Sequence, residues 1–299
     1  MTTRYVGKGG DNGNSGLTWA LRKLTLNGAE DTPVAAGDTV YVGAGTYREE
    51  LICDVSGTSG SPITYIGDYG GSNTDGVGGV VRITGSDDDI IATRDDCVYI
   101  PEKNYRTFIG FKTDLSIATY GAFTSYTSCA NLIIDRCYIG ATLGDGIFIS
   151  QPGTDIQIKN CYIQAGYYAT ASKKGIRIFY TTPIDDRSIV IENCIINSAE
   201  SAIDISKIGG ITVRNSLLFG ADQGIFISAA LTEGQVVTVN NNIFFSLYKA
   251  LVAQSVGEIV EDYNSFYKCQ YARVNVDTGA NSNTYPPLFD SRWFFEMVK

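Results

Sequence analysis

An eight-residue phrase returns five times between residues 132 and 244, and it limits the fold more than anything else in the chain. The copies read Leu132-Ile-Ile-Asp-Arg-Cys-Tyr-Ile139, Ile156-Gln-Ile-Lys-Asn-Cys-Tyr-Ile163, Ile189-Val-Ile-Glu-Asn-Cys-Ile-Ile196, Ile211-Thr-Val-Arg-Asn-Ser-Leu-Leu218 and Val237-Thr-Val-Asn-Asn-Asn-Ile-Phe244. The sixth position (Cys137, Cys161, Cys194, Ser216, Asn242) advances by 24, 33, 22 and 26 residues. Between copies lies a second alternating segment: Gly146-Ile-Phe-Ile-Ser150, Gly175-Ile-Arg-Ile-Phe179, Ala202-Ile-Asp-Ile-Ser206, Gly224-Ile-Phe-Ile-Ser228 and, more weakly, Ala250-Leu-Val-Ala-Gln254. Alternation of this kind is the pattern of a strand with one buried face. A self-similar period of this length marks a repeat architecture.

No strand of four or five residues buries its inner face alone. Stacked on its like, about 4.8 Å away, each gains a neighbour above and below. Two strands per period therefore predict one coil of a β-solenoid, with about ten coils of roughly 24 residues over the chain. The fifth position is Asn in four copies: Asn160, Asn193, Asn215 and Asn241. Asn tolerates the left-handed backbone of a sharp bend, and its amide can reach the next coil, so this column is predicted to form a corner. The residue after it is predicted to point inward. Cys137, Cys161 and Cys194 then form a stack of buried, reduced thiols. The other cysteines are Cys53, Cys97, Cys129 and Cys269; seven is an odd number and no CxxC occurs, so no disulfide framework is read.

Leu17, Ala20, Leu21 and Leu24 fall at helical spacing. A helix here, N-capped by Ser15 and ended by Asn27-Gly28, would cover the first open sheet edge. Residues 1–35 are assigned to an N-terminal strand and capping helix, 36–290 to the solenoid and 291–299 to a tail. Strands are expected at Thr39–Val42 and Ile63–Ile66, and the stretch Gly67–Gly79, six of whose thirteen residues are glycine, is expected to be loop. The tail carries Trp293, Phe294, Phe295, Met297 and Val298. It reads as a truncated end or as one that enters a partner's surface.

The Asn-corner coils are joined by an opening, Ala36-Gly-Asp-Thr-Val-Tyr-Val-Gly-Ala-Gly-Thr-Tyr-Arg48 followed by Ser61-Pro-Ile-Thr-Tyr-Ile66. Together they resemble the right-handed parallel β-helix superfamily, the pectate-lyase-like fold, over nearly the whole chain. The resemblance implies an all-β chain forming a single right-handed parallel β-helix with an N-terminal capping helix. It does not choose among the lyases, hydrolases, epimerases, adhesins and phage tail spikes that share the fold, so the site must decide.

The chain has no histidine and a formal net charge of −9. The first fact removes His general bases, His–zinc sites and Ser–His or Cys–His nucleophile pairs. The second speaks against nonspecific binding to nucleic acid or to anionic membranes, both of which need positive patches. Neither is expected as a partner. Lyases of the resembled fold use an Arg or Lys base and a calcium ion held by acidic residues, chemistry that needs no histidine.

On the second strand of each coil the outward column reads Phe148, Arg177, Asp204, Phe226, Val252. Arg177 and Asp204 would be neighbours on adjacent coils, either as an ordinary cross-strand ion pair or as the centre of a sugar groove. If the chain is a lyase, Arg177, Asp204 and Lys207 are the catalytic candidates, with Arg177 as base or carboxylate clamp. Phe148, Tyr167, Tyr168, Arg177, Tyr180 and Phe226 are candidates for glycan binding or an interface, three of them tyrosines in the longest coil. The acidic runs Asp87–Asp89, Asp95-Asp96 and Asp185-Asp186 offer oxygen ligands for Ca²⁺, but none has calcium-loop spacing. No metal site is assigned, and calcium is the only cofactor the resemblance brings in. A second outward column, Tyr162, Ile195, Leu217 and Ile243, is an apolar stripe that a loop or another chain must cover. With Trp293 it is the candidate oligomer interface.

Two functions compete. The leading expectation is a non-catalytic virion structural or recognition protein: a tail spike, fibre or capsid-surface β-helix. It would be made in a host cytoplasm and displayed on the virion, with copies of itself, other virion proteins or surface polysaccharide as partners. The apolar stripe, the reduced thiols, the 19 tyrosines, the lone acid in the Arg177 column and an N-terminus without an apolar leader segment all fit it. The alternative is a polysaccharide lyase or related carbohydrate-active enzyme acting on an acidic polysaccharide, for which secretion is expected.

Overall fold

The computed structural model describes residues 1–32, 34–114, 121–166, 173–182 and 187–286. Its strands stack into three parallel sheets, one ten strands deep and two nine. One coil runs through Leu132–Asp135, Tyr138–Thr142 and Asp145–Ser150; the next through Ile156–Lys159, Tyr162–Ala165 and Lys174–Phe179. The first strand of each coil joins sheet A, the second sheet B and the third sheet C. Each coil thus has three strands where the pattern suggested two, because the Asn corner cuts the eight-residue phrase into two strands on different sheets.

That corner has the predicted backbone. Asn160, Asn193, Asn215 and Asn241 take φ of 55, 54, 53 and 58°, and Arg136 holds the same place at 52°. Asn is the residue that visits this region at least cost after Gly. The amides also tie coils together. Asn193 donates to Asn160 at 3.2 Å, Asn241 to Asn215 at 2.7 Å, and Asn160 to the Asp135 carboxylate at 2.8 Å.

The next column points inward as expected. Cys137, Cys161 and Cys194 are buried and free. The Cys161 thiol donates to the carbonyls of Lys159 (3.1 Å) and Ile134 (3.6 Å). Burial pushes the Cys137 and Cys161 thiols far above the ordinary cysteine value. Farther along, Ser216, Asn242 and Asn264 occupy the column and accept from the backbone one coil before: Cys194 N–H to Ser216 at 3.1 Å, Ser216 N–H to Asn242 at 2.9 Å, and Asn242 N–H to Asn264 at 2.8 Å. Small groups with some hydrogen-bonding capacity suit the point where a bend interrupts the sheet ladder. Around them, like stacks on like. Ile134, Ile158, Ile191, Val213 and Val239 follow one another in register along sheet A, all buried.

The predicted helix over residues 17–24 does not form. Only a 3₁₀ turn, Trp19–Leu21, occurs there, and Leu17, Leu21 and Leu24 are 50, 49 and 38% exposed. The segment instead runs beside the first strand, Thr3–Val6. Lys23 N–H donates to the Tyr5 carbonyl, and Gly7 N–H to the Lys23 carbonyl, both at 2.9 Å. Pairing satisfies an open strand edge directly, which a helix laid over it would not do. The one α-helix among the described residues, Leu26–Asp31, is six residues long and begins where the predicted one was to end, with Thr25 rather than Ser15 as its N-cap. Its side chains close the start of sheet C: Ile52 N–H donates to Asn27 at 2.9 Å and Asp54 N–H to Glu30 at 3.0 Å. Glu30 is also held by both terminal nitrogens of the buried Arg106, at 2.8 and 2.9 Å.

Candidate functional site

Strict alternation on sheet C sends one isoleucine row inward and its neighbours out. The outward row Tyr99, Thr124, Phe148, Arg177, Asp204, Phe226, Val252 is in register from coil to coil. The expected column is therefore present and extends two coils further toward the N-terminus. Rings gather along it. Tyr99 and Tyr126 lie with centroids 5.3 Å apart, and Tyr126 and Phe148 6.1 Å apart. The Arg177 guanidinium stands 5.4 Å from the Phe148 ring and 5.5 Å from the Phe179 ring.

The ion pair considered for Arg177 and Asp204 does not form, although they are register partners. Asp204 accepts instead from the Ser228 hydroxyl at 2.5 Å. Burial raises its pKa, against the opposing effects of that hydrogen bond, Lys174 and Arg177. Arg177 has no ion-pair partner among the described residues. Lys207, the third catalytic candidate, gives its ammonium to the Thr181 carbonyl at 2.8 Å. Phe226 and Tyr180 are half-buried, Phe226 one coil beyond Asp204 and Tyr180 directly after Phe179. Tyr167, Tyr168 and Trp293 lie outside the described residues, as do Asp185, Asp186 and the apolar tail.

Three further carboxylates of raised pKa lie on or beside the sheet C strands; of these the sequence offers only Asp96, as a possible Ca²⁺ ligand. Asp96 is buried and accepts from the Thr124 hydroxyl at 2.6 Å and the Tyr126 hydroxyl at 3.0 Å. Burial nevertheless raises its pKa to about 6. Glu50 is pushed up to about 7 by burial and by the charges of Asp96 and Asp95. Asp145 accepts from Lys174 N–H at 2.9 Å and is raised to about 6, again by burial. Lys174 itself pairs with Glu200 at 2.8 Å. Carboxylates shifted toward neutrality beside an aromatic row are a common mark of a working site.

The described residues do not fit calcium. No three of their acidic groups converge in a way that could hold a metal. The Asp87–Asp89 run, read as a possible ligand set, is already in use: Asp87 pairs with Arg94, Asp89 with Arg48 and Arg82, and Asp88 accepts from the Ile90 and Ile91 N–H groups.

Residues 120–258 match the family model described as the right handed beta helix region. The solenoid is a right-handed β-helix. No curated protein matches the chain in sequence. Among solved structures it is similar to a rhamnogalacturonan lyase (TM-score 0.67, 16% identity, covering 90% of this chain and 74% of that one). It is also similar to the pectate lyase Pel9A (0.64, 15%, 94% and 79%) and to an alginate lyase from Paenibacillus sp. str. FPU-7 (0.60, 17%, 87% and 95%). At these identities the likeness is one of fold.

The other outward column of the β-helix lies on sheet B. Tyr162, Ile195, Leu217 and Ile243 are in register, and Tyr138 stacks on Tyr162 with centroids 4.9 Å apart. The row is less open than its sequence suggested. Ile195 and Leu217 are only 5 and 6% exposed within the single chain, and Tyr162 and Ile243 are half-buried.

Proposed function

We propose that the chain is a carbohydrate-active enzyme that cleaves an acidic polysaccharide by elimination, with the outer face of sheet C as its groove. What supports this most is Arg177, a guanidinium set between two phenyl rings without a carboxylate partner among the described residues. One coil away stands Asp204, a carboxylate of raised pKa. A guanidinium stays protonated at any working pH, which suits it to clamp the carboxylate of an acidic sugar rather than to act as base. Neutralising that carboxylate acidifies the proton on the carbon beside it. Asp204 takes this proton, the freed electron pair forms the carbon–carbon double bond, and the glycosidic oxygen leaves and is protonated by water. Lys207, committed to Thr181, has no part in this scheme. Three of the structures similar in fold are named as lyases, which is in keeping with the reading. On this reading the protein is secreted and meets its polymer outside the cell.

The virion-surface reading leans chiefly on the apolar row of sheet B, and half of that row is already buried within the chain. It is the weaker of the two. The test is direct. Polygalacturonate, alginate and rhamnogalacturonan are each mixed with the protein and the ultraviolet absorbance of the unsaturated product is followed. A steady rise is expected on at least one, reduced about a hundredfold or more in Arg177→Ala and in Asp204→Asn. No rise on any of the three would sink the enzymatic reading and return the chain to a binding or structural role.

A further inference from the structure

A cavity of about 210 Å³ opens where two successive coils turn from sheet B toward sheet C. Gln164, Ala165 and Gly166 line it from one coil, and Asn197, Ser198 and Ala199 from the next. No charged side chain is in this lining. Gln164 and Asn197 are register partners on the outer face of sheet B, so two carboxamides stand one coil apart. Stacked amides elsewhere in this chain bond to each other, as Asn160 and Asn193 do. Here neither amide has a hydrogen-bond partner among the described residues. Ser198 is 3% exposed, and its hydroxyl too has no partner among them.

Buried polar groups in native proteins are paired as a rule, so the Ser198 hydroxyl calls for an explanation, and the half-buried amides of Gln164 and Asn197 beside it have donors and acceptors to spare. Each of the three both donates and accepts. That is the complement of a ligand rich in hydroxyls, which also donate and accept. The uncharged lining favours an uncharged ligand, and the half-buried ring of Phe219, next after Asn197 in register, adds an apolar neighbour of the kind sugar faces pack against. The cavity far exceeds the needs of one water.

We propose that this cavity is a subsite for a neutral sugar unit, and hence that the polysaccharide carries neutral units beside its acidic ones. The same two coils bear Arg177 and Asp204 on the strands Lys174–Phe179 and Ser201–Ser206, so subsite and groove belong to successive stretches of the same two coils, on adjacent sheets. The claim about mixed composition rests on the groove reading; the cavity's own chemistry does not.

Calorimetric titration with polygalacturonate, rhamnogalacturonan and galactan separates the two. The expected order places rhamnogalacturonan, which mixes acidic and neutral units, as the tightest. Asn197→Ala should weaken it about tenfold while leaving polygalacturonate unchanged. Arg177→Ala should weaken both acidic polymers. If Asn197→Ala leaves rhamnogalacturonan untouched while Arg177→Ala weakens it, the subsite is refuted and the groove stands. If only Asn197→Ala matters, the groove is refuted and the subsite stands. Absence of binding to all three polymers refutes both. Ser198→Ala is the internal control. It should weaken rhamnogalacturonan without lowering the melting temperature, because it removes an unpaired hydroxyl; a clear loss of stability would mean the hydroxyl already has a partner, and the inference would fall.

Discussion

Glu30→Gln is predicted to be among the most damaging single changes in the chain. The carboxylate of Glu30 collects four hydrogen bonds: two from Arg106 (2.8 and 2.9 Å), one from the Tyr65 hydroxyl (2.5 Å) and one from Asp54 N–H (3.0 Å). Both members of the ion pair are buried, Arg106 at 0% and Glu30 at 3% exposure. The third guanidinium nitrogen, Nε, is already given to the Val55 carbonyl at 2.7 Å. Gln keeps the shape but replaces one acceptor oxygen with an NH₂ that faces a guanidinium unable to accept. The Arg106 charge is then buried without compensation. Breaking a buried pair in this way costs about 3–5 kcal/mol. At roughly 2–4 °C per kcal/mol for a large domain, the melting temperature should fall by about 10 °C. Circular dichroism during thermal and urea unfolding reads the loss. The double change Glu30→Leu/Arg106→Met removes both charges and should recover part of it, the rest being withheld by the Tyr65 hydroxyl and Asp54 N–H that lose their acceptor. A loss below about 1 kcal/mol for Glu30→Gln would show that water or backbone movement relieves the charge, and the buried-pair argument would be wrong.

Three other outcomes are expected. Cys137, Cys161 and Cys194 should resist a thiol reagent in the native protein and react at once after unfolding, with mass spectrometry locating the label; prompt native labelling of all three would break the inward ladder. Glu50, Asp96 and Asp145, raised to about 7, 6 and 6, hold protons more tightly folded than unfolded. Their contribution to stability is full below about pH 4 and is lost as the pH rises toward 7. The melting temperature should therefore drop between about pH 5 and about pH 7.5, and drop less in Glu50→Gln/Asp96→Asn; an undiminished drop in that variant would assign the slope to general charge repulsion instead. Leu217→Asp should give a monomer by light scattering that is destabilised by about 3 kcal/mol or more, because the side chain is buried within one chain. If the parent is an oligomer that this change splits into a stable monomer, the sheet B row is an interface after all.

How much of this was legible in sequence depended on whether the signal was periodic. The inward rows repeat, so five copies of one phrase announced the coil, the corner and the thiol ladder. Alternation alone also placed Phe148, Arg177, Asp204 and Phe226 on one outer row. It did not reveal that Asp204 would turn to Ser228 rather than to Arg177. The helix over 17–24 was misread because apolar residues at helical spacing need a surface to pack on, and this segment found a strand edge first. Glu30 and Arg106 meet across 76 residues, and Asp96 meets Thr124 and Tyr126 across 28 and 30. No local pattern encodes such meetings, since each depends on how many residues the intervening loops hold.

The β-helix divides its duties by parity. On sheet C the inward row Ile147, Ile176, Ile203, Ile225, Leu251 is apolar throughout and fully buried. The next residue on each strand is Phe148, Arg177, Asp204, Phe226 and Val252, five positions with four different side chains. A change in the inward row leaves a cavity that neighbouring coils cannot close, at about 1 kcal/mol for a methylene and more for larger losses. In the outward row Phe148, Asp204 and Val252 are also buried, but removing Arg177 disturbs little beyond cation–ring contacts worth about 0.5–1 kcal/mol each. The fold therefore demands one kind of side chain in the inward row and tolerates several in the outward one, which leaves room there for chemistry. This is why the fold-level likeness to lyases of different named substrates carries so little about the substrate of this chain. It is also why loss of activity in Arg177→Ala could be ascribed to the groove rather than to unfolding: the residue can be removed while the row behind it keeps the coils in register.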